Sequence, residues 1–164
     1  MSASITVDAK GRAALSTLKR LDTLIETGIK KGGYVSGKQI TTFLKKGFRA
    51  KPKSGREYLI RRGKIRRRHI ASNPDVNPPE FPASLSGALA NSVGFNVKGS
   101  DQLIFGAGTE DGKVPYARIL NDGGQAGRGR KTTIKGRFYL EQTAKANERN
   151  ITRNIEDEIE KLLK

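Results

Sequence analysis

Apolar residues fall into two long helical patterns with shorter alternating ones between them. From Gly11, residues Leu15, Leu18, Leu21, Leu24, Ile25 and Ile29 recur at three- and four-residue steps, the spacing of one helical face. Gly32-Gly33 interrupts the run, and Ile40, Phe43, Leu44 and Phe48 resume it as far as Pro52. The pattern predicts a long N-terminal helix kinked near the glycine pair, or two consecutive helices. Each glycine costs about 1 kcal/mol relative to alanine without forbidding continuation. After Gly136, residues Phe138, Leu140 and Ala144 lead into Ile151, Ile155, Ile159 and Leu163 at strict i, i+4 spacing, which predicts a long C-terminal amphipathic helix.

Between these helices the period shortens. Tyr58, Leu59 and Ile60, then Arg62-Gly63-Lys64, Ile65 and Ile70, read as a hairpin with a strongly cationic face. Val93, Phe95 and Val97 alternate, and residues 92–97 and 102–108 flank the connection Lys98-Gly99-Ser100-Asp101, a second hairpin. Short helices are expected over Ser84 to Ala90, capped by Ser84 or Ser86, and over Pro115 to Leu120, with proline in the first turn. Residues 73–82 hold four of the six prolines and read as a loop. The glycine-rich 123–135 reads as a flexible loop, and residues 1–10 as a flexible N-terminus. The order implies an α+β class, with helices packed on one face of a small antiparallel sheet, in a single domain over 1–164.

Charge sharpens this picture. The 164 residues carry 32 Lys and Arg against 16 Asp and Glu, a net charge of +16. Residues 37–70 hold thirteen basic side chains against Glu57 alone. Such a density implies an anionic neighbour. Arg61, Arg62, Lys64, Arg66, Arg67 and Arg68 are the candidates to face DNA or a neighbouring protein, and Pro78, Pro79, Phe81 and Pro82 are candidates for an oligomer interface. The sequence has no tryptophan, and aromatics make up only 6%. Without stacking platforms or a recognition motif, contact with nucleic acid is expected to be with phosphates and insensitive to sequence.

Catalytic chemistry finds little support. The absence of cysteine removes thiol nucleophiles, zinc ribbons and disulfide scaffolds. His69 is the one histidine, in a run of arginines with no carboxylate nearby in sequence. The acids are dispersed, and Glu156, Asp157, Glu158 and Glu160 read as a solvated helix face. No glycine-rich stretch matches the phosphate-binding loop pattern. No catalytic, cofactor-binding or metal-binding residue is therefore expected, and the chain is read as a non-enzyme; the catalytic alternative is a small ribonuclease built on His69. No apolar run approaches the ~20 residues of a membrane span, and residues 1–12 lack a signal-peptide core. A soluble protein made in a cytoplasm is expected.

One ordered set of short motifs adds to this reading. Gly55-Arg56-Glu57-Tyr58, His69-Ile70-Ala71-Ser72, the proline-rich stretch to Pro82-Ala83, Ser86-Gly87-Ala88-Leu89 and Ser92-Val93 follow one another. Phe105-Gly106, Tyr116-Ala117-Arg118-Ile119-Leu120-Asn121-Asp122-Gly123 and Gly136-Arg137-Phe138-Tyr139-Leu140 come after them. This succession resembles the tail-completion or neck proteins of tailed bacteriophages, to which minor tail protein Z of lambda-like phages is related. The resemblance covers roughly residues 12–164. Ser86 stands for the usual threonine, Asn121 for the usual glutamate, and Asn73-Pro74-Asp75 for a Pro-Gly-Glu. The resemblance implies a structural virion protein of the head–tail junction that forms a ring, a hexamer by analogy. Its expected partners are the connector, the tail terminator or tube proteins, and genomic DNA in the lumen. Its expected place is the virion neck, with the host cytoplasm during assembly. The alternative from residues alone is a stand-alone, sequence-nonspecific nucleic-acid-binding protein.

Overall fold

The computed structural model describes residues 9–50, 53–62, 65–83, 86–108 and 114–164, with the side chains of 9–15, 61, 62, 65–67 and 128 outside the description. In chain order the elements are helix α1 (Ala9–Arg49), strands β1 (Glu57–Arg62) and β2 (Ile65–Ile70), the single turn α2 (Ala88–Asn91), strands β3 (Gly94–Lys98) and β4 (Gln102–Gly106), helix α3 (Ala117–Asp122), strands β5 (Gly124–Ala126) and β6 (Thr132–Ile134), and helix α4 (Tyr139–Leu163). The class is α+β.

Helix α1 runs for 41 residues, about 60 Å at 1.5 Å per residue, without interruption at Gly32-Gly33. The glycines are points of close approach instead of a break. Gly28 and Gly32, one turn apart, face α4: a Cβ on Gly32 would stand 2.5 Å from Ile155 Cα and 2.9 Å from the Asn154 carbonyl oxygen, and one on Gly28 would stand 3.0 Å from Ile159 Cα. Gly33 and Gly37 face the β3–β4 hairpin, where Val97 and the Phe95 ring lie over them. Pairing of 28 with 159 and of 32 with 155 makes α1 and α4 antiparallel.

The buried core gathers at the C-terminal end of α1 and the start of α4. Ile40, Leu44 and Phe48 meet Leu89 and Ala90 of α2, Val93, Val114, Ala117 of α3, and Tyr139. Each fully buried aliphatic or aromatic side chain contributes about 1.5–3 kcal/mol. Phe48 and Tyr139 pack edge-on with ring centroids 5.1 Å apart.

The strands form three separate antiparallel hairpins, β1–β2, β3–β4 and β5–β6, where one small sheet was expected. Only β3–β4 lies broadly on α1; β1–β2 pairs extensively with no other described element. The proline-rich 73–82 stretch cannot supply a strand to join the two. The glycine-rich segment after α3 is not a plain loop: Gly124↔Ile134, Gln125↔Thr133 and Ala126↔Thr132 pair in register. The helix expected over Ser84 to Ala90 is shorter and later, beginning after Gly87, whose φ of 82° ends any earlier helical path. Ser86 Oγ accepts the Ala88 N–H at 3.3 Å, whereas Ser84 lies outside the described residues, as do residues 1–8.

Helix α4 ends four residues beyond Ile159, which brings its last turn level with Leu24. Residues 9–23 of α1 therefore extend past it by about 22 Å. Along this overhang Leu18 is 57% exposed and Leu21 is also exposed, as is Ile25 just inside it, level with the last turn of α4. The apolar stripe legible in the sequence thus has two fates. Its C-terminal part builds the core, and its N-terminal part faces water.

Candidate assembly and nucleic-acid surfaces

The cationic segment is a hairpin standing on a narrow root. Gly55 N–H donates to the Ala71 carbonyl and Ala71 N–H to the Arg56 carbonyl, both at 3.0 Å. A Cβ on Gly55 would stand 2.5 Å from the Ala71 oxygen, so the two chains close the root only with glycine there. The register sets Arg61 opposite Arg66, Ile60 opposite Arg67 and Leu59 opposite Arg68. Like charges at directly paired positions destabilise a ladder, and an anion between them would reverse the sign. Lys64 and the side chains of Arg61, Arg62, Arg66 and Arg67 lie outside the described residues. Arg68 Nε lies 3.2 Å from Glu57 Oε1, an exposed pair of small energetic value. Tyr58, Leu59 and Ile70 add exposed apolar surface to the same hairpin. His69 packs edge-on against Tyr58, and its Nε2 is buried without a hydrogen-bond partner among the described residues.

The four interface candidates of the proline-rich loop separate. Phe81 points inward, with its ring 5.9 Å from Phe48 and 6.2 Å from Tyr139 by centroid, and it covers Gly47. Pro82 is buried too. These two serve the chain's own core. Pro79 is half-buried, its carbonyl accepting from Gln142 Nε2 at 3.0 Å, and Pro78 is exposed.

A polar buckle ties this loop to both long helices. Glu80 accepts from Ser54 N–H and Oγ–H and from Asn73 N–H at 2.8–3.2 Å. Desolvation pushes its carboxyl up, but those hydrogen bonds and the Lys53 charge together outweigh it and hold the group below the usual range. Lys53 Nζ donates to the Gly47 carbonyl at 3.2 Å and the Phe81 carbonyl at 2.9 Å, satisfying one of the orphan carbonyls at the end of α1. Burial lowers the Lys53 pKa more than Glu80 raises it. Arg137 donates from Nε to Ser72 Oγ at 2.9 Å and from a terminal nitrogen to the Ser72 carbonyl at 3.2 Å. The serine after His69 and the arginine before Phe138, distant in sequence, are thus one contact.

The motifs around Asn121 and Phe138 also form one unit. Gly123, at φ 81°, crosses Gly136 so closely that a Cβ on Gly123 would stand 2.7 Å from Gly136 N. Across this crossing Arg137 and Phe138 N–H both donate to the Asn121 carbonyl at 2.9 Å. Phe138, the residue before α4, sits in the left-handed region at φ 48° and offers no side-chain cap. Asn121 supplies it from α3: its Oδ1 accepts the Leu140 N–H at 3.0 Å, while its Nδ2 donates to Asp122 and Glu141. Tyr139 donates its hydroxyl to the Ala117 carbonyl at 2.9 Å, and burial, aided by Asp122 and Glu141, pushes its pKa up to about 12. No protein-family model, curated protein or solved structure matches the chain.

One cationic feature escaped the sequence reading. An open groove of about 600 Å³ runs between α1 and α4, edged by Lys38 and Lys46 on the first helix and Arg153 on the second. The sequence separates Arg153 from the two lysines by more than a hundred positions, and only the antiparallel helix pairing brings them together. Among the described residues no helix is long and apolar enough to cross a membrane.

Proposed function

We propose that this chain is a structural subunit of the head–tail junction of a tailed phage, assembling into a ring around the DNA path and joining tail to head. The overhang of α1 carries the proposal. A helix that projects about 22 Å past its partner with Leu18 and Leu21 in water, in line with exposed Ile25 at its base, is stabilised when a neighbour covers that stripe. The order of motifs resembling the tail-completion proteins supports it, because the buckle and the Asn121–Phe138 crossing give those scattered motifs one common structural role. Connector and tail terminator or tube proteins are the neighbours this reading implies, and genomic DNA contacts the cationic hairpin through its phosphates. Its place is the virion neck, reached from the host cytoplasm.

Sedimentation velocity and electron microscopy of the purified chain test the reading. Rings are expected, and the double variant Leu18→Glu, Leu21→Glu should disperse them while leaving the helical circular dichroism intact, since both residues lie away from the core. A chain that stays monomeric at every concentration, with tails completed normally by the double variant, would overturn it.

The opposed Arg61 and Arg66 positions favour a second reading, a stand-alone nucleic-acid-binding protein. That reading expects the monomer itself to bind duplex, with log K falling against log[salt] by about 0.9 per phosphate neutralised. A monomer that fails to bind duplex at low salt yet cosediments with tails decides for the ring.

A further inference from the structure

We propose that the groove between α1 and α4 is a nucleic-acid site separate from the cationic hairpin, one that grips the phosphodiester backbone. Three cations edge it against a single carboxylate, Asp157. A concave surface with that imbalance focuses positive potential where a flat face would disperse it.

The individual groups are arranged to be available. Lys38 is held at the rim with Nζ 4.6 Å from the centroid of the Tyr34 ring, which positions the ammonium without neutralising it. The side chains of Lys46 and Asn150 line the groove without a hydrogen bond to another described side chain. Arg153 Nε lies 3.9 Å from Asp157 Oδ2, at the limit of an ion pair, with both side chains largely in water. Such a contact is worth little and yields readily to a phosphate. The floor, by contrast, is fixed: Asn154 Nδ2 donates to Ser36 Oγ at 3.1 Å and to Gln39 Oε1 at 2.9 Å.

The shape and lining narrow the ligand. The groove is open along its length, which suits a chain passing through more than a small anion enclosed on all sides. Phe43 is 40% exposed within it, the ring standing edge-on to Phe81 with centroids 6.1 Å apart. Cations beside an exposed aromatic ring are the combination that holds a polynucleotide, the charges on the phosphates and the ring under a sugar or base. The site does not depend on ring assembly, so its failure would leave the reading of the overhang standing.

Fluorescence anisotropy with labelled oligo(dT) and a labelled duplex of the same length tests it on the full-length chain. The triple variant Lys38→Gln, Lys46→Gln, Arg153→Gln is expected to weaken binding at least tenfold at low salt and to flatten the log–log salt dependence for three phosphates by about 2.7 on the duplex, at about 0.9 each, and by about 2.1 on oligo(dT), at about 0.7 each. The control Lys30→Gln, Lys31→Gln, Lys145→Gln removes equal charge outside the groove and should do much less. If Phe43→Leu weakens oligo(dT) more than duplex, the ligand is an unpaired strand; equal effects assign a duplex, and both support the site. Wild-type protein that binds neither probe, a groove variant that binds like wild type, or a control that weakens binding as much as the groove variant would overturn it.

Discussion

Asn121 caps a helix to which it does not belong. Its Oδ1 accepts the Leu140 N–H at 3.0 Å, the place a side chain at the Phe138 position would normally fill, and the Asn121 carbonyl receives the N–H groups of Arg137 and Phe138. Helix α4 is therefore started by α3. Asn121→Ala should lower stability by about 2 kcal/mol, near the upper end for a lost cap, because it is buried. Urea unfolding followed by circular dichroism measures it. Asn121→Asp keeps the acceptor but sets a carboxylate beside Asp122 and Glu141, and should fall between wild type and alanine at neutral pH.

Adjacent glycines in α1 should respond to the same substitution with opposite signs. At Gly32 a Cβ meets the backbone of α4 at 2.5 Å, so Gly32→Ala forces the helices apart and should cost about 1–3 kcal/mol despite the gain in helix propensity. At Gly33 a Cβ meets only the Val97 methyls, at 3.5 and 3.6 Å, which is ordinary contact. Gly33→Ala should stabilise by up to about 1 kcal/mol. Thermal midpoints of the two variants, measured side by side, give the comparison.

Glu80 should make the proline-rich loop acid-sensitive. Its carboxyl is held below the usual range in the folded chain, so the unfolded chain binds the proton more tightly. The contribution is fully present above the unfolded carboxyl pKa of about 4.3 and is lost as pH falls through the lower folded value. Stability measured from neutral pH downward should decline less steeply for Glu80→Gln than for wild type. Parallel curves for the two would remove Glu80 from the account.

Tyr139 gives the matching test at high pH. Its hydroxyl is buried, donates to Ala117, and has its pKa pushed up to about 12. The folded chain holds that proton more tightly than the unfolded one, whose tyrosine titrates near 10. Its stabilisation is complete below about pH 10 and is lost as pH rises towards about 12. Tyr139→Phe should cost about 1 kcal/mol at neutral pH through the lost hydrogen bond, and it should remove part of the alkaline decline. Unfolding midpoints at pH 8 and above test both effects.

Amide hydrogen exchange should divide α1 along its length. The turns holding Ile40, Leu44 and Phe48 lie in the core and should exchange only on global unfolding, whereas those around Leu18 and Leu21 should exchange rapidly in the monomer. In assembled rings the proposed interface would slow the second set by orders of magnitude.

Much of the architecture was legible from periodicity alone. The leucine and isoleucine spacing marks α1 and α4, and the alternation of Val93, Phe95 and Val97 marks β3. What escaped depended on partners distant in sequence. Gly32-Gly33 reads locally as a break because local rules weigh glycine against alanine; the role of Gly32 lies in its approach to Ile155, more than a hundred residues away. Phe81 sits among prolines and reads as an exposed loop residue, yet Phe48 and Tyr139 claim it for the core. The β5–β6 pairing rests on backbone hydrogen bonds between three-residue strands, too short to show a side-chain period. The cationic groove needs α1 and α4 laid antiparallel before Lys38, Lys46 and Arg153 become neighbours.

The close approach at Gly28 and Gly32 also bears on how the molecule would carry load. Where side chains separate two helices, a layer of rotatable groups can yield; here backbone rests on backbone, and packed interiors compress little. The two helices form one stiff beam with a free end at the α1 overhang and a fulcrum at the glycines. A push from a neighbour on Leu18 would therefore arrive as torque at the far end, where Phe48 and Tyr139 meet Phe81 of the proline-rich loop.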